Sequence, residues 1–99
     1  MEVSRLKVSV RLFTTLRELA GKGKETLEFN SRDVTLEDVL AKLTARYGRE
    51  FREYLYDDNK AVREHLQLLI NGKSTALEKP PILVKDGDEV AIVPPVGGG

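Results

Sequence analysis

Thr35-Leu36-Glu37-Asp38-Val39-Leu40-Ala41-Lys42-Leu43-Thr44-Ala45-Arg46-Tyr47-Gly48 is the stretch on which the reading of this chain turns. Leu36, Val39, Leu40, Leu43 and Tyr47 fall at i, i+3, i+4, i+7 and i+11, so a helix gathers them on one face and leaves the charged side chains on the other. Thr35 is of a type that caps helices, its hydroxyl accepting from a free N–H of the first turn, and Gly48 is placed to close the far end. A helix with so strong a stripe cannot bury it alone. It needs a sheet to lie on.

The flanks supply that sheet. Upstream, Leu6, Val8, Val10 and Leu12 alternate with Lys7, Ser9 and Arg11, the period-two pattern of a strand with one buried face. Thr15-Leu16-Arg17-Glu18 has the form of a capping box opening a short helix through Ala20, with Gly21 to end it. Lys22-Gly23-Lys24 turns the chain, and Thr26-Leu27-Glu28-Phe29 reads as a second strand returning along the first.

Downstream, Phe51, Tyr54 and Leu55 keep helical spacing before Asp57-Asp58-Asn59-Lys60 breaks into a loop, and residues 49–65 are otherwise left without an element. Leu66 to Ile70 regains strand character, Asn71-Gly72 marks a tight turn, and Lys73 to Leu77 continues as a short strand before Pro80-Pro81 interrupts pairing. Lys85-Asp86-Gly87-Asp88 is another turn, and Glu89 to Val93 is a final strand stopped by Pro94-Pro95. This order predicts an α+β domain: a mixed sheet, one main helix packed across it and a short helix after the first strand. The handedness rule for crossovers sets the first and last strands side by side and parallel.

The composition narrows the function. Ninety-nine residues suit one domain, read here as residues 1–93 with a tail over 94–99. Sixteen basic and sixteen acidic residues cancel, which removes the long-range field that draws proteins to nucleic acid or anionic membranes. No apolar run approaches a membrane span of roughly 20 residues and no signal-peptide stretch follows Met1, so the expected location is cytoplasmic. With no cysteine and a single histidine, His65, the chain offers no thiol nucleophile, no evident metal site and no conventional hydrolytic centre; no bound cofactor is expected. Asp57-Asp58-Asn59 lacks the alternating ligands, central Gly and distal Glu of a calcium loop, and His65 has no metal-binding partner nearby in sequence.

What remains is the ending, Pro94-Pro95-Val96-Gly97-Gly98-Gly99. Two prolines favour a stiff, polyproline-like exit from the last strand, and three glycines make a thin tail able to enter a narrow channel. Its tip is a carboxylate with no Cβ beside it, open to approach by a nucleophile or a phosphate.

Leu12-Phe13 with Leu16-Arg17-Glu18-Leu19-Ala20-Gly21, then Ile70-Asn71-Gly72, then Asp86-Gly87-Asp88-Glu89-Val90 and the Pro94-Pro95-Val96-x-Gly-Gly ending resemble the small subunit of molybdopterin synthase, the MoaD-like branch of the ubiquitin-like sulfur carriers. The resemblance runs from about Val8 to Gly99 and implies the β-grasp fold, whose element order is the one read above. It implies a carrier, a co-substrate rather than an enzyme alone. A ubiquitin-activating-type adenylyltransferase uses ATP to join the Gly99 carboxylate to AMP, a sulfur donor protein converts it to a thiocarboxylate, and Pro94, Pro95, Val96, Gly97 and Gly98 thread the tail into the large synthase subunit. The sulfur then passes to the pterin precursor of the molybdenum or tungsten cofactor.

Two further roles stay open on the same resemblance: a modifier joined through Gly99 to lysines, and a sulfur donor for thiamine or tRNA thiolation. A plain binding domain with an idle tail is the remaining alternative. Strand order brings Phe13 and Val93 together near the tail's root, as an apolar patch or as part of the core. The resemblance makes that region the partner interface, with Arg17 and Leu77 as further contacts.

Overall fold

In β1 (Leu6–Leu12) the alternation is realised residue by residue: Leu6, Val8, Val10 and Leu12 are buried, while Lys7 and Arg11 are exposed. The computed structural model describes residues 5–77 and 81–94. After β1 come α1 (Thr14–Ala20), β2 (Lys24–Phe29), β3 (Val34–Thr35), α2 (Leu36–Tyr47), α3 (Arg49–Leu55), β4 (Gln67–Ile70), β5 (Lys73–Thr75), β6 (Leu83–Val84) and β7 (Glu89–Val93). The main sheet has the order β2-β1-β7-β4-β5, and β3 pairs with β6 in a separate two-stranded ribbon.

The expected neighbours are in place. β1 runs antiparallel to β2 and parallel to β7, with Val10 beside Val90 and Leu12 beside Ile92. β4 then pairs antiparallel with both β7 and β5. Asn71 and Gly72 both take positive φ between β4 and β5, as the turn requires. The Asn71 side chain does more than turn: it accepts from the Glu89 N–H and donates to Asp88, each at 2.9 Å, fastening this hairpin to the start of β7.

α2 lies across the inner face of the sheet. Leu36, Val39, Leu40 and Leu43 are buried in one cluster with Val8, Val10, Leu27 and Ile92. Its start is a full capping box: Asp38 N–H donates to the Thr35 hydroxyl at 3.1 Å and Thr35 N–H to the Asp38 carboxylate at 3.0 Å. The unassigned stretch resolves into α3, which buries Phe51 and Leu55, and a bridge between Tyr56 and Val62.

Three expectations are corrected. The capping box expected at Thr15 is absent: the N-cap falls two residues earlier, at Phe13, and no side chain caps the helix. Leu12 N–H is tied to the Gly23 carbonyl at 2.9 Å and Leu16 is fully buried, so the chain must enter the helix within the three residues between them. The strand after Asn71-Gly72 ends at Thr75 rather than Leu77, and the chain pairs again beyond Pro81, where β6 meets β3. Pro80 lies outside the described residues. Tyr47, expected simply as an apolar member of the α2 stripe, is half-buried and ends in a polar contact.

That contact is with Glu25, a buried carboxylate on the inner face of β2, opposite Val10. Tyr47 donates its hydroxyl to Glu25, Arg46 stands 2.9 Å away and Lys22 3.6 Å. The Tyr47 hydrogen bond, with Arg46 and Lys22 behind it, overcomes the cost of burial and holds the Glu25 carboxyl down at about 2. Burial and the Glu25 charge push the Tyr47 phenol up to about 12. The cluster ties the edge strand β2 to the end of α2.

Candidate functional site

β7 is the middle strand of the sheet and the last strand before Pro94. Val90 and Ile92 point into the core with no exposure, so Glu89, Ala91 and Val93 point to the outer face, away from α2. Because β7 is parallel to β1, both strands finish at the same end of the sheet. Phe13 follows Leu12 in extended conformation, φ −129° and ψ 153°, and so projects on the same outer face one step beyond the Leu12–Ile92 pair, next to Val93.

Both side chains are half-buried, and neither is part of the core cluster or packed against it. Phe13 and Val93 thus lie outside the core cluster, a half-buried apolar patch beside Pro94. Gln67 lies on the far side of Val93 and donates to the Ser74 hydroxyl at 3.2 Å.

The patch extends further than the sequence reading reached. One row back, Arg11, Ala91 and Leu69 stand side by side across β1, β7 and β4 on the outer face. Leu69 is half-buried and Ala91 buried between its neighbours, and the Arg11 guanidinium lies 5.9 Å from the centre of the Phe13 ring. Lys24 is directly opposite Arg11, and neither has an ion-pair partner among the described residues. Like charges facing across a ladder cost stability. This face therefore combines an apolar strip with two cations that form no ion pair among the described residues. The signal for these residues was the parity of the strands: Arg11 shares a face with Phe13, and Ala91 with Val93.

The other expected contacts separate. Arg17 is exposed on α1 and runs over Gly23, where an added Cβ would come 3.5 Å from its Nε, so it stays at the Phe13 end of β1. Leu77 is half-buried and packs against the core cluster. It lines a cleft of about 960 Å³ with Glu37, Arg52, Tyr56 and Arg63. Pro94 is half-buried and borders a groove with Val62, His65 and Leu77. Pro95, Val96, Gly97, Gly98 and Gly99 lie outside the described residues.

Other chemistry is sparse. Asp57 spends one carboxylate oxygen on the N–H groups of Asn59 and Ala61, closing its own loop. His65 packs edge-on against Tyr54, 5.9 Å between ring centres. Among the described residues no group of His, Asp and Glu is arranged to hold a metal, and no helix is long and apolar enough to cross a membrane.

Comparison with known proteins gives a consistent picture. The ThiS family matches residues 10–99. Small archaeal modifier protein 3 of Haloferax volcanii is 33% identical over 95 residues, covering 95% of this chain and all of the relative. The molybdopterin synthase sulfur carrier subunit of Drosophila melanogaster is 31% identical over 94 residues, covering 95% of this chain and 92% of that one. The crystal structure of SAMP1 from Haloferax volcanii superposes with a TM-score of 0.81 at 29% identity, over 94% of this chain and 99% of that one.

Proposed function

The chain belongs to the ThiS family of β-grasp, ubiquitin-like sulfur carriers, and from that membership we propose that it donates sulfur to the pterin precursor of molybdopterin through a thiocarboxylate on Gly99. In this reading residues 1–93 are the domain, Pro94 to Gly98 are the thread, and Gly99 carries the reacting group. The carboxylate of Gly99 attacks the α-phosphorus of ATP on an activating enzyme and pyrophosphate leaves. Hydrosulfide (HS⁻) released from a donor protein then attacks the acyl carbon, the bond to AMP breaks, AMP leaves, and loss of the S–H proton gives the thiocarboxylate. A free carboxylate is a poor electrophile; the adenylate supplies the leaving group, and the partner that grips the domain supplies orientation.

The observation that carries the proposal is the position of the apolar patch. Phe13 and Val93 sit on the outer face where the central strand ends, so a partner that docks there receives the tail at its own surface. The chemistry is tested by the intact mass of the protein isolated from its source: a species heavier by the exchange of one oxygen for one sulfur at Gly99 is expected, and it should convert the pterin precursor when mixed with the large synthase subunit. A mass that never departs from the carboxylate form, with no conversion, sinks it. The similarity to archaeal modifier proteins favours a second reading, attachment of Gly99 to lysines. Branched peptides carrying the tail's glycines in digests of cell protein would decide for that role.

Docking is tested separately. Phe13→Ala is expected to weaken binding of the large synthase subunit by about 2 kcal/mol, the scale of an aromatic anchor, with the thermal midpoint of the carrier little changed because the ring is outside the core cluster. Val93→Asp, which sets an unpaired charge in the same contact, acts in the same direction. Calorimetric titration of folded variants makes the measurement. Undiminished affinity in Phe13→Ala removes the patch from the interface.

A further inference from the structure

Thr14 has a φ of +46°. Among the described residues only Thr14, Lys60 and Asn71 take positive φ without being glycine, and Thr14 alone is β-branched, the class least suited to the left-handed region. Asn71 occupies a hairpin turn that its residue type favours. Thr14 instead stands directly after Phe13, at the rim of the patch.

Both ends of this turn are fixed. Leu12 is held by the 2.9 Å bond from its N–H to the Gly23 carbonyl, and Leu16 is buried with 1% exposure. Between them the chain must leave the strand, present Phe13 outward and enter α1. The start of the helix does little to hold that path, since the Arg17 N–H stands 3.4 Å from the Phe13 carbonyl and no side chain caps the helix. Strain of this kind persists only where the surroundings over-determine the conformation, and an observed outlier beside a working surface points to what it positions.

We propose that Thr14 is a positioning residue for docking: the fixed ends of the turn impose a positive φ, and the Thr14 Cβ closes off the other positive-φ conformations that a glycine could take, which keeps the Phe13 ring on the outer face beside Val93. The inference rests on the docking reading above. Glycine at this position relieves the strain but opens a wide range of backbone conformations, so that Phe13 must be ordered each time a partner binds. Stability and affinity then move in opposite directions, which a purely structural role for Thr14 does not produce.

The test uses the full chain with Thr14→Gly, Thr14→Asn and Phe13→Ala, titrated with the purified large synthase subunit. Thr14→Gly is expected to keep or raise the thermal midpoint while raising Kd about fivefold, the ordering cost moved into the binding step. Nuclear Overhauser contacts between the Phe13 ring and the Val93 methyls should weaken in the free protein. Thr14→Asn, which tolerates positive φ yet retains a Cβ, should keep Kd within about twofold of the parent. A wild-type Kd in Thr14→Gly beside a weakened Phe13→Ala overturns the assignment of Thr14 alone, as does a lowered midpoint in Thr14→Gly. Wild-type binding by Phe13→Ala overturns the docking reading itself, and the role of Thr14 with it.

Discussion

Removal of Gly98 and Gly99 should abolish ATP-dependent adenylation of this chain while leaving its thermal midpoint essentially where it was. The two halves of that result have different causes. The ladder of β7 runs no further than Val93, and the residues that anchor the strand, Val90 and Ile92, are wholly buried upstream of the deletion. Two glycines bring no apolar side chain to bury, so their loss takes little from the folded state. In the proposed function, activation needs a carboxylate at the right reach from the docked domain, and a tail shortened by two residues presents it roughly 7 Å too early. Pyrophosphate release with the activating enzyme, beside calorimetry of the carrier alone, measures both. Adenylation that survives the deletion would place the reacting group elsewhere. A large fall in the midpoint would make those glycines part of the domain.

Glu25→Gln should lower the unfolding free energy at pH 7 by about 3 kcal/mol, the linkage value of a carboxyl lowered from 4.5 to about 2. The figure is an upper one, because Arg46 and Lys22 are about half exposed and their share is screened by solvent. The sign follows from the direction of the shift. A carboxyl depressed in the folded state contributes in full above its unfolded value near 4.5, and that contribution fades as pH falls towards 2. The wild-type protein should therefore lose stability between pH 5 and pH 2.5 more steeply than Glu25→Gln, and the two curves should converge. Tyr47 works at the other edge: its raised phenol keeps its contribution below about pH 10 and loses it as pH rises towards 12. Urea unfolding across the acid range checks the first claim. Parallel curves for the two proteins down to pH 2.5 would show that Glu25 carries none of the acid sensitivity.

What could be read from the sequence was what short-range rules determine. α2 was legible because its cap, stripe and closing glycine all lie within fourteen consecutive residues, and β1 because its parity is uninterrupted. The meeting of Phe13 and Val93 followed from parity together with the parallel pairing of first and last strands. Arg11, Ala91 and Leu69 were not found, because placing them needs the register across three strands, which no local pattern contains. Glu25 was not found for a similar reason. A glutamate at an inward position of a strand is tolerable only with partners, and those are Tyr47 and Arg46 in a different element. β3 and β6 were not found because two residues carry no period; they exist through each other. At α1 a local rule was overridden: Thr15 and Glu18 have the spacing of a capping box, but the tether of Leu12 to Gly23 moved the helix start to Thr14.

The central place of β7 also has a mechanical side. The strand is flanked by β1 over Glu89 to Ile92 and by β4 over Val90 to Val93, so a pull applied at Pro94 loads both ladders along their length. Hydrogen bonds perpendicular to the pull share the force and must yield together, whereas a strand at the edge of a sheet drawn sideways opens one bond at a time. A pull in that direction on the chain beyond Pro94 therefore does not unzip the sheet bond by bond. A sideways pull on β5, held on one side only, would peel it away.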